Sequence, residues 1–300
     1  MKDNYHQAAF PEHATQGLNI RPEGIYVDAT LGGATHSKLI LKKLISGKLF
    51  GFDQDEDTKA NIPCDEHFQF IHGNFRYMSN FLAYYDIHQV DGIIADLGIS
   101  SHHIDTEERG FSYRRNSLLD MRMNQRSDYK AVDFLNDGSE EKLTEVFQKY
   151  GELHDAARIA EKIVVKRQSK TIQTTFQLKE AIKDCIPKCN EYKFLSKVFQ
   201  AIRIEVNDEI EALKELLLQS VCLVRKCGRL VVISYHSGED RLVKNFMKSG
   251  NFEGTINKDF YGKNLSPFFL VCRGAIIPEK EEIAENSRVR SARLRIAERN

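Results

Sequence analysis

Short apolar, β-branched runs alternate with helical patterns through the first third of the chain, and each run ends on a polar residue. Residues 24–29 predict a first strand, 48–52 a second, 68–71 a third and 89–95 a fourth. A helix is expected from about residue 36 to 45, after a turn of small residues. Strands alternating with helices predict a parallel sheet with right-handed crossovers. The alternation then stops, and residues 105–196 carry helical and loop patterns without a convincing strand. Within them, residues 150–165 place Ala156, Ile159, Ala160, Ile163 and Val164 on one helical face, and Thr174 is a plausible cap for a second helix running to 182. The rhythm resumes with a helix that Asn207 would cap, whose apolar stripe continues to Val224 and which Gly228 would close. Residues 229–234 then predict a fifth strand, 240–247 a helix and 268–272 a late strand. The segment 1–21 is polar with little period, and no repeat or low-complexity stretch is present.

This pattern predicts an α/β fold: a Rossmann-like, mostly parallel sheet with an inserted all-helical domain. Residues 1–104 and 201–300 would form the sheet domain and 105–200 the insertion. A length of 300 residues suits about two domains or one with an insertion. Hydrophobic residues at 41% and charged residues at 29% are ordinary for a globular protein. The formal charge is zero, so no global basic field advertises nucleic acid, and any such binding must come from local patches. One patch gathers Arg109, Arg114, Arg115, Arg122 and Arg126; another gathers Arg288, Arg290, Arg293, Arg295 and Arg299. Each reads equally well as a solvated face or a phosphate grip. The six cysteines form no CxxC pair and meet no matching histidine cluster, so free or buried thiols are expected, with no disulfide framework and no metal. Without a signal peptide or an apolar run of about 18 residues, a cytoplasmic protein that does not enter a membrane is expected.

The candidate chemistry sits at the predicted strand ends, where ligands bind in an open parallel sheet. The first strand runs through Asp28 into Gly32, Gly33 and Ala34 and then into a helix, the usual opening of a nucleotide crevice, although the spacing is not GxGxxG. Asp53 after the second strand suits the hydroxyls of a ribose, and Phe75 after the third suits a base; their plainer readings are a turn residue and a core aromatic. Asp96 closes the fourth strand. Methyl transfer from a sulfonium needs in-line positioning, a desolvated cavity and an acceptor lone pair. For an exocyclic amine acceptor, Asp96 or a backbone carbonyl of residues 96–98 could accept an amine hydrogen and localise the lone pair.

Eight blocks occur in order: Tyr26-Val-Asp-Ala-Thr-Leu-Gly-Gly33, Asp96-Leu-Gly-Ile-Ser-Ser101, Arg109-Gly-Phe-Ser-Tyr113, Leu119-Asp-Met-Arg-Met123, Tyr150-Gly-Glu152, Phe199 to Asn207, Val232-Ile-Ser-Tyr-His-Ser-Gly-Glu-Asp-Arg241 and Arg290-Ser-Ala-Arg-Leu-Arg295. Together they resemble the bacterial 16S rRNA cytosine-N4 methyltransferase family, RsmH/MraW, over nearly the whole chain. The resemblance implies a class I methyltransferase using S-adenosylmethionine (SAM) on a cytosine of the small-subunit decoding centre, with the target base flipped from its stack. It implies that Gly32, Gly33, Ala34, Thr35 and His36 hold the methionine part of SAM, Asp53 the ribose and Phe75 the adenine, with Asp96 near the transferred methyl. His103 stands where the family has a glutamine near the cofactor. His236, offered with Asp96 as catalytic, would face the substrate with Arg241; its other explanation is a helix start capped by Ser237. Arg109, Arg122, Arg241, Arg290, Arg293 and Arg295 would grip RNA phosphates. Oligomeric state is left open.

The chain departs from the family pattern at the opening block, residues 6–12, at Ala34-Thr35 in place of Gly-Gly, at residues 116–118, at Gly238 and at residues 286–288. These changes motivate an alternative: a member weakened in catalysis that acts as an RNA-binding protein of ribosome assembly. A dehydrogenase is poorly supported without GxGxxG.

Overall fold

A computed structural model describes residues 8–300 of the chain; the part of the family's opening block at His6 lies outside the described residues. Seven strands form one sheet: β1 (Ile25–Asp28), β2 (Lys48–Asp53), β3 (Phe68–His72), β4 (Val90–Asp96), β5 (Val224–Ser234), β6 (Phe268–Leu270) and β7 (Arg293–Arg299). Their order is β3-β2-β1-β4-β5-β7-β6. β1 to β5 are parallel, while β7 runs antiparallel to both of its neighbours. The order reverses beside β1, so the topological switch point lies at the carboxyl ends of β1 and β4. This is the class I methyltransferase arrangement, a Rossmann-like sheet with one late antiparallel strand.

Side chains alternate across the sheet with the period of two that a strand imposes. Val27, Phe52, Ile93, Ala95 and Val232 pack on one face with Met78, Leu82, Leu213, Leu217, Val243 and Phe246. Tyr26, Leu49, Ile94, Val231 and Ile233 pack on the other with Ala14, Leu18, Ile40 and Leu44. Both faces of the parallel strands are covered, which is why they read in sequence as nearly continuous apolar runs. Of the two aspartates of β4, Asp91 pairs with Arg21 and Arg225 and accepts the Ile25 N–H at 2.9 Å.

The chain divides into two units, 1–98 with 210–300, and 99–209. The second has its own core, built from Leu119, Met121, Phe134, Phe147, Ile159, Ile163, Leu178, Leu195, Phe199 and Ile202 among others. The boundary expected at 200/201 would fall inside the helix Glu191–Asn207, whose buried face belongs to this core. Thr174 caps the helix Thr175–Ala181 in a reciprocal box with Gln177. Asn207 does not start the next helix but ends the Glu191 helix: its side chain accepts from Met123 N at 2.7 Å and donates to Met121 O at 2.8 Å and to Arg203 O, in the last turn, at 2.9 Å. The next helix, Glu209–Leu223, starts after a left-handed Asp208.

Gly228 likewise does not close a helix. β5 begins directly at Val224, and the register with β4 slips between Val90 and Gly92, a bulge with Cys227 at φ 63°. A Cβ on Gly228 would stand 2.7 Å from the Asp91 carbonyl oxygen, so the bulge needs glycine there. The sequence pattern also missed the helix Pro11–Gly17, about two turns started by proline, and it missed β7. All six cysteines are free thiols, and no helix among the described residues is long and apolar enough to cross a membrane.

Candidate active site

The turn after β1 is locked to the end of β2. Leu31 N donates to Phe52 O at 2.8 Å, Gly32 N to Asp53 Oδ2 at 2.9 Å, and Ala34 N to Leu31 O at 2.7 Å. Gly32 has φ 47° and Ala34 has φ 60°, both left-handed, so the alanine keeps the shape that glycine would adopt without strain. Thr35 then opens the helix Thr35–Leu41, which carries His36 and Ser37 inward.

Asp28 is fully buried beneath this turn, accepting from Thr30 N at 3.1 Å and Ser37 Oγ at 2.7 Å. Burial raises its carboxyl above the usual range despite those bonds and the nearby His36. Asp53 accepts from Asp55 N at 2.9 Å as well as from Gly32 N. Loss of water pushes its carboxyl up to about 7, those two N–H bonds pull it down, and Asp55 and Asp28 add to the rise. Each Asp53 oxygen carries a second lone pair, the acceptor pattern that a vicinal diol needs.

His36 is 4% exposed, and neither ring nitrogen reaches a hydrogen-bond partner in the protein. Nε2 stands 3.6 Å from Asp96 Oδ2. Burial, the largest influence, lowers its pKa, but Asp96 and then Asp28 raise it, and the net shift is upward. An unsatisfied buried polar group costs about 1–3 kcal/mol, so a polar ligand group is the natural partner of this ring. Together with the open cradle at Gly32 and the acceptor at Asp53, these residues fit a nucleoside that carries a charged amino-acid arm.

Asp96 ends β4 at the switch point. Its N–H donates to Thr30 Oγ1 at 2.7 Å, and its Oδ1 receives the Tyr235 hydroxyl at 2.8 Å. Tyr235 follows β5 directly, and burial first, then the Asp96 carboxylate, holds its phenol well above the usual pKa. Sequence reasoning quoted Tyr235 within a block but gave it no role; the available signal was a polar aromatic placed just past an apolar strand. His236, not Ser237, caps the helix Ser237–Ser249, with Nδ1 accepting from Glu239 N at 3.4 Å and Nε2 3.1 Å from Glu239 Oε1. Glu239 also accepts the Tyr235 N–H at 3.0 Å. His236 is thus linked to Asp96 through Glu239 and Tyr235, and its buried Nε2 has no hydrogen-bond partner in the protein.

Phe75 begins a short 3₁₀ turn, Phe75–Tyr77, capped by Asn74, and lies half-buried against the core beside β2. This agrees with the core-aromatic reading on its packed side and leaves part of the ring uncovered. Of the six arginines expected on RNA, Arg241, Arg290 and Arg293 are exposed. Arg295 is not: it is buried within β7 and holds Asp240 through Nε at 2.7 Å and Nη2 at 3.0 Å. Arg293 and Arg295 share a face of β7, and Arg295, deeper in the strand, is covered where it meets Asp240 of the helix Ser237–Ser249; the polar-looking tail hid that strand.

In the second unit, Arg109 is buried and donates to the carbonyls of Arg122 and Met123 at 2.7 and 3.2 Å. Arg122 grips Asp120 at 2.7 Å and the carbonyls of Gln125 and Ser127. Both shape the loop around Met121, which has φ 58°. His103 is buried in that unit too, in a capping box with Ser100 and 5.0 Å from the Phe111 ring. Among the described residues, no three His, Cys, Asp or Glu side chains gather as metal ligands.

Sequence comparison agrees with this geometry. The MraW methylase family matches residues 3–300. Proteins called ribosomal RNA small subunit methyltransferase H are 52% identical in Parabacteroides distasonis (98% of this chain, 97% of theirs), 51% in Bacteroides thetaiotaomicron (98% and 97%) and 50% in Flavobacterium johnsoniae (98% and 98%). With the sheet order, the locked turn after β1 and a match along its whole length, the chain belongs to the MraW methylase family, whose methyl donor is S-adenosylmethionine.

Proposed function

We propose that this protein transfers a methyl group from SAM to the N4 amine of a cytosine in the 16S rRNA of the small ribosomal subunit, in the decoding-centre region. The observation that carries the reading is Asp96, held at the switch point by Tyr235 on one oxygen and faced by His36 on the other. The rRNA substrate is supported by the name that relatives about half identical to this chain bear. A substrate within the ribosome places the work in the cytoplasm.

Bound SAM would supply an electrophilic methyl on a sulfonium, whose carbon–sulfur bond breaks to leave a neutral thioether. The turn from Gly32 to Thr35, with His36, would hold its amino-acid end, Asp53 its ribose and Phe75 its adenine. Tyr235 fixes the Asp96 carboxylate by one oxygen. Asp96 then accepts a hydrogen of the exocyclic amine, draws the nitrogen lone pair out of conjugation and receives the proton that the nitrogen gives up on forming its new C–N bond. Alignment and desolvation supply most of the rate, with no covalent enzyme intermediate. His103 is left out of the cofactor set, since its ring serves Ser100 and Phe111. The exposed Arg241, Arg290 and Arg293 would meet RNA phosphates. The left-handed turn at Ala34 favours an enzyme over a purely RNA-binding relative, because the cradle keeps its shape.

The test combines methyl-labelled SAM with small ribosomal subunits lacking the modification, followed by nucleoside analysis of the RNA. Label in N4-methylcytidine is expected. No label, with a homologue active in parallel, would overturn the reading.

A further inference from the structure

Two aromatic rings stand almost entirely in solvent: Phe260 is 98% exposed and Tyr261 is 91% exposed. They meet edge to face, with centroids 5.7 Å apart. They occupy the tip of a hairpin that follows the helix Ser237–Ser249. Asp259 builds this tip. Its N–H donates to Lys263 O at 2.9 Å, its carbonyl accepts from Gly262 N at 3.0 Å, and its carboxylate accepts from Tyr261 N at 2.9 Å and Lys263 N at 2.8 Å. Gly262, at φ 82°, closes the turn, and Lys258 bridges to Asn264 below it. Backbone bonds thus order the turn that carries the rings, and the rings pack on each other in solvent.

Two lysines against one aspartate give the tip a net positive charge. Lys258 and Lys263 flank the pair and are exposed, while the Asp259 carboxylate is turned into the loop by the two N–H groups it accepts. Exposed rings on an ordered turn between lysines are what unpaired nucleotides require: π-faces for any base, and cations for the phosphates on either side. A second copy of this chain is a poorer occupant, because a two-fold contact at the tip would bring lysines against lysines.

We propose that the Phe260–Tyr261 tip is a stacking platform for single-stranded nucleotides of the RNA substrate. The inference rests on the RNA substrate proposed above and adds a second contact to it. The helix Ser237–Ser249 leads from the carboxyl end of β5 back to Gly250, which lies against Pro267 just before β6. The tip therefore stands at the opposite end of the sheet from Asp96, roughly 20 Å away at about 3.3 Å per strand residue. It anchors a large substrate and takes no part in the chemistry.

The experiment measures equilibrium binding of the full chain to a protein-free 16S rRNA transcript and to small ribosomal subunits, for wild type, Phe260→Ala/Tyr261→Ala and Lys258→Gln/Lys263→Gln. Both variants change exposed side chains, and unchanged melting temperature and SAM affinity verify their folds. Losing the rings should weaken transcript binding about tenfold, the worth of roughly one stacked base, with kcat on saturating subunits unaltered. Losing the lysines should lower the salt slope by roughly two. Transcript binding indistinguishable from wild type overturns the proposal. A loss seen with subunits but not with the transcript also overturns it, by assigning the tip to a protein. Tip-dependent RNA binding by a wild type that labels no cytosine would instead sink the proposed reaction and leave the platform standing.

Discussion

The Tyr235 hydroxyl donates to Asp96 Oδ1 at 2.8 Å, joining the end of β5 to the end of β4 across the mouth of the crevice. One carboxylate oxygen is thereby fixed, and the other is left to a partner from outside. Tyr235→Phe deletes only the hydroxyl. A hydrogen bond to a charged group is worth about 1.5–3 kcal/mol, so kcat for RNA methylation should drop about tenfold or more. SAM affinity, read by calorimetry, should hardly change. An unaltered kcat would remove Tyr235 from the positioning of Asp96.

Ala34 tests the strain in the turn. Its left-handed conformation costs about 1–2 kcal/mol that glycine does not incur. Part of that gain is offset by the greater freedom of glycine in the unfolded chain. Ala34→Gly should therefore raise stability by about 1 kcal/mol, seen as a higher melting temperature. A lower one would mean that the methyl group, buried without exposure, contributes more packing than its backbone costs.

Asp53 makes stability and cofactor binding depend on pH in opposite ways. Its folded pKa of about 7 lies above its unfolded value near 3.8, so between these pH values the folded state binds more proton. Its contribution to stability is thus greatest at low pH and falls as pH rises from about 4 to about 7. Ribose hydroxyls need the carboxylate as acceptor, so SAM affinity should rise towards pH 7 and then level off. Titrations at several pH values check this, and Asp53→Asn should flatten both profiles.

The arginines near the end of the sequence should separate into two kinds. Arg295→Ala removes the two-pronged partner of the buried Asp240 carboxylate, leaving it Arg293 at 3.8 Å, and should cost about 3 kcal/mol of stability. Arg241→Gln with Arg290→Gln should leave the melting temperature in place and weaken RNA binding. Equal destabilisation by both would show that exposure misjudges the exposed pair.

The parallel strands were legible because burial on both faces writes them as apolar runs ending in Asp28, Asp53 and Asp96. β7 was not, because Arg293, Arg295 and Arg299 made it look like a charged tail. Whether a charge is neutralised by Asp240 across the fold cannot be read from its neighbours in sequence. Asn207 misled for a similar reason: an asparagine before acids signals a cap, but its amide was already committed to Met121 and Met123, distant in sequence. His36 and Asp53 were found by their positions at strand ends. The Tyr235–Asp96 bond needed three-dimensional register, since only the pairing of Asp96 with Ile233 brings those chain segments level.

The helical unit also governs the order in which the molecule can be assembled. β4 and β5 are neighbours in the sheet, yet the whole of residues 99–209 lies between them in sequence. Closing so long a loop from a disordered chain is entropically expensive and kinetically slow. The core of the helical unit is drawn from its own residues, so its contacts are more local in sequence than the β4–β5 pairing. Once it has formed, the tether between β4 and β5 is no longer a loose coil but a folded body with two short exits. Substitutions that weaken Phe134, Phe147 or Leu195 would then delay the pairing that completes Asp96 and Tyr235, and harm reaches the crevice through timing, without any altered contact there.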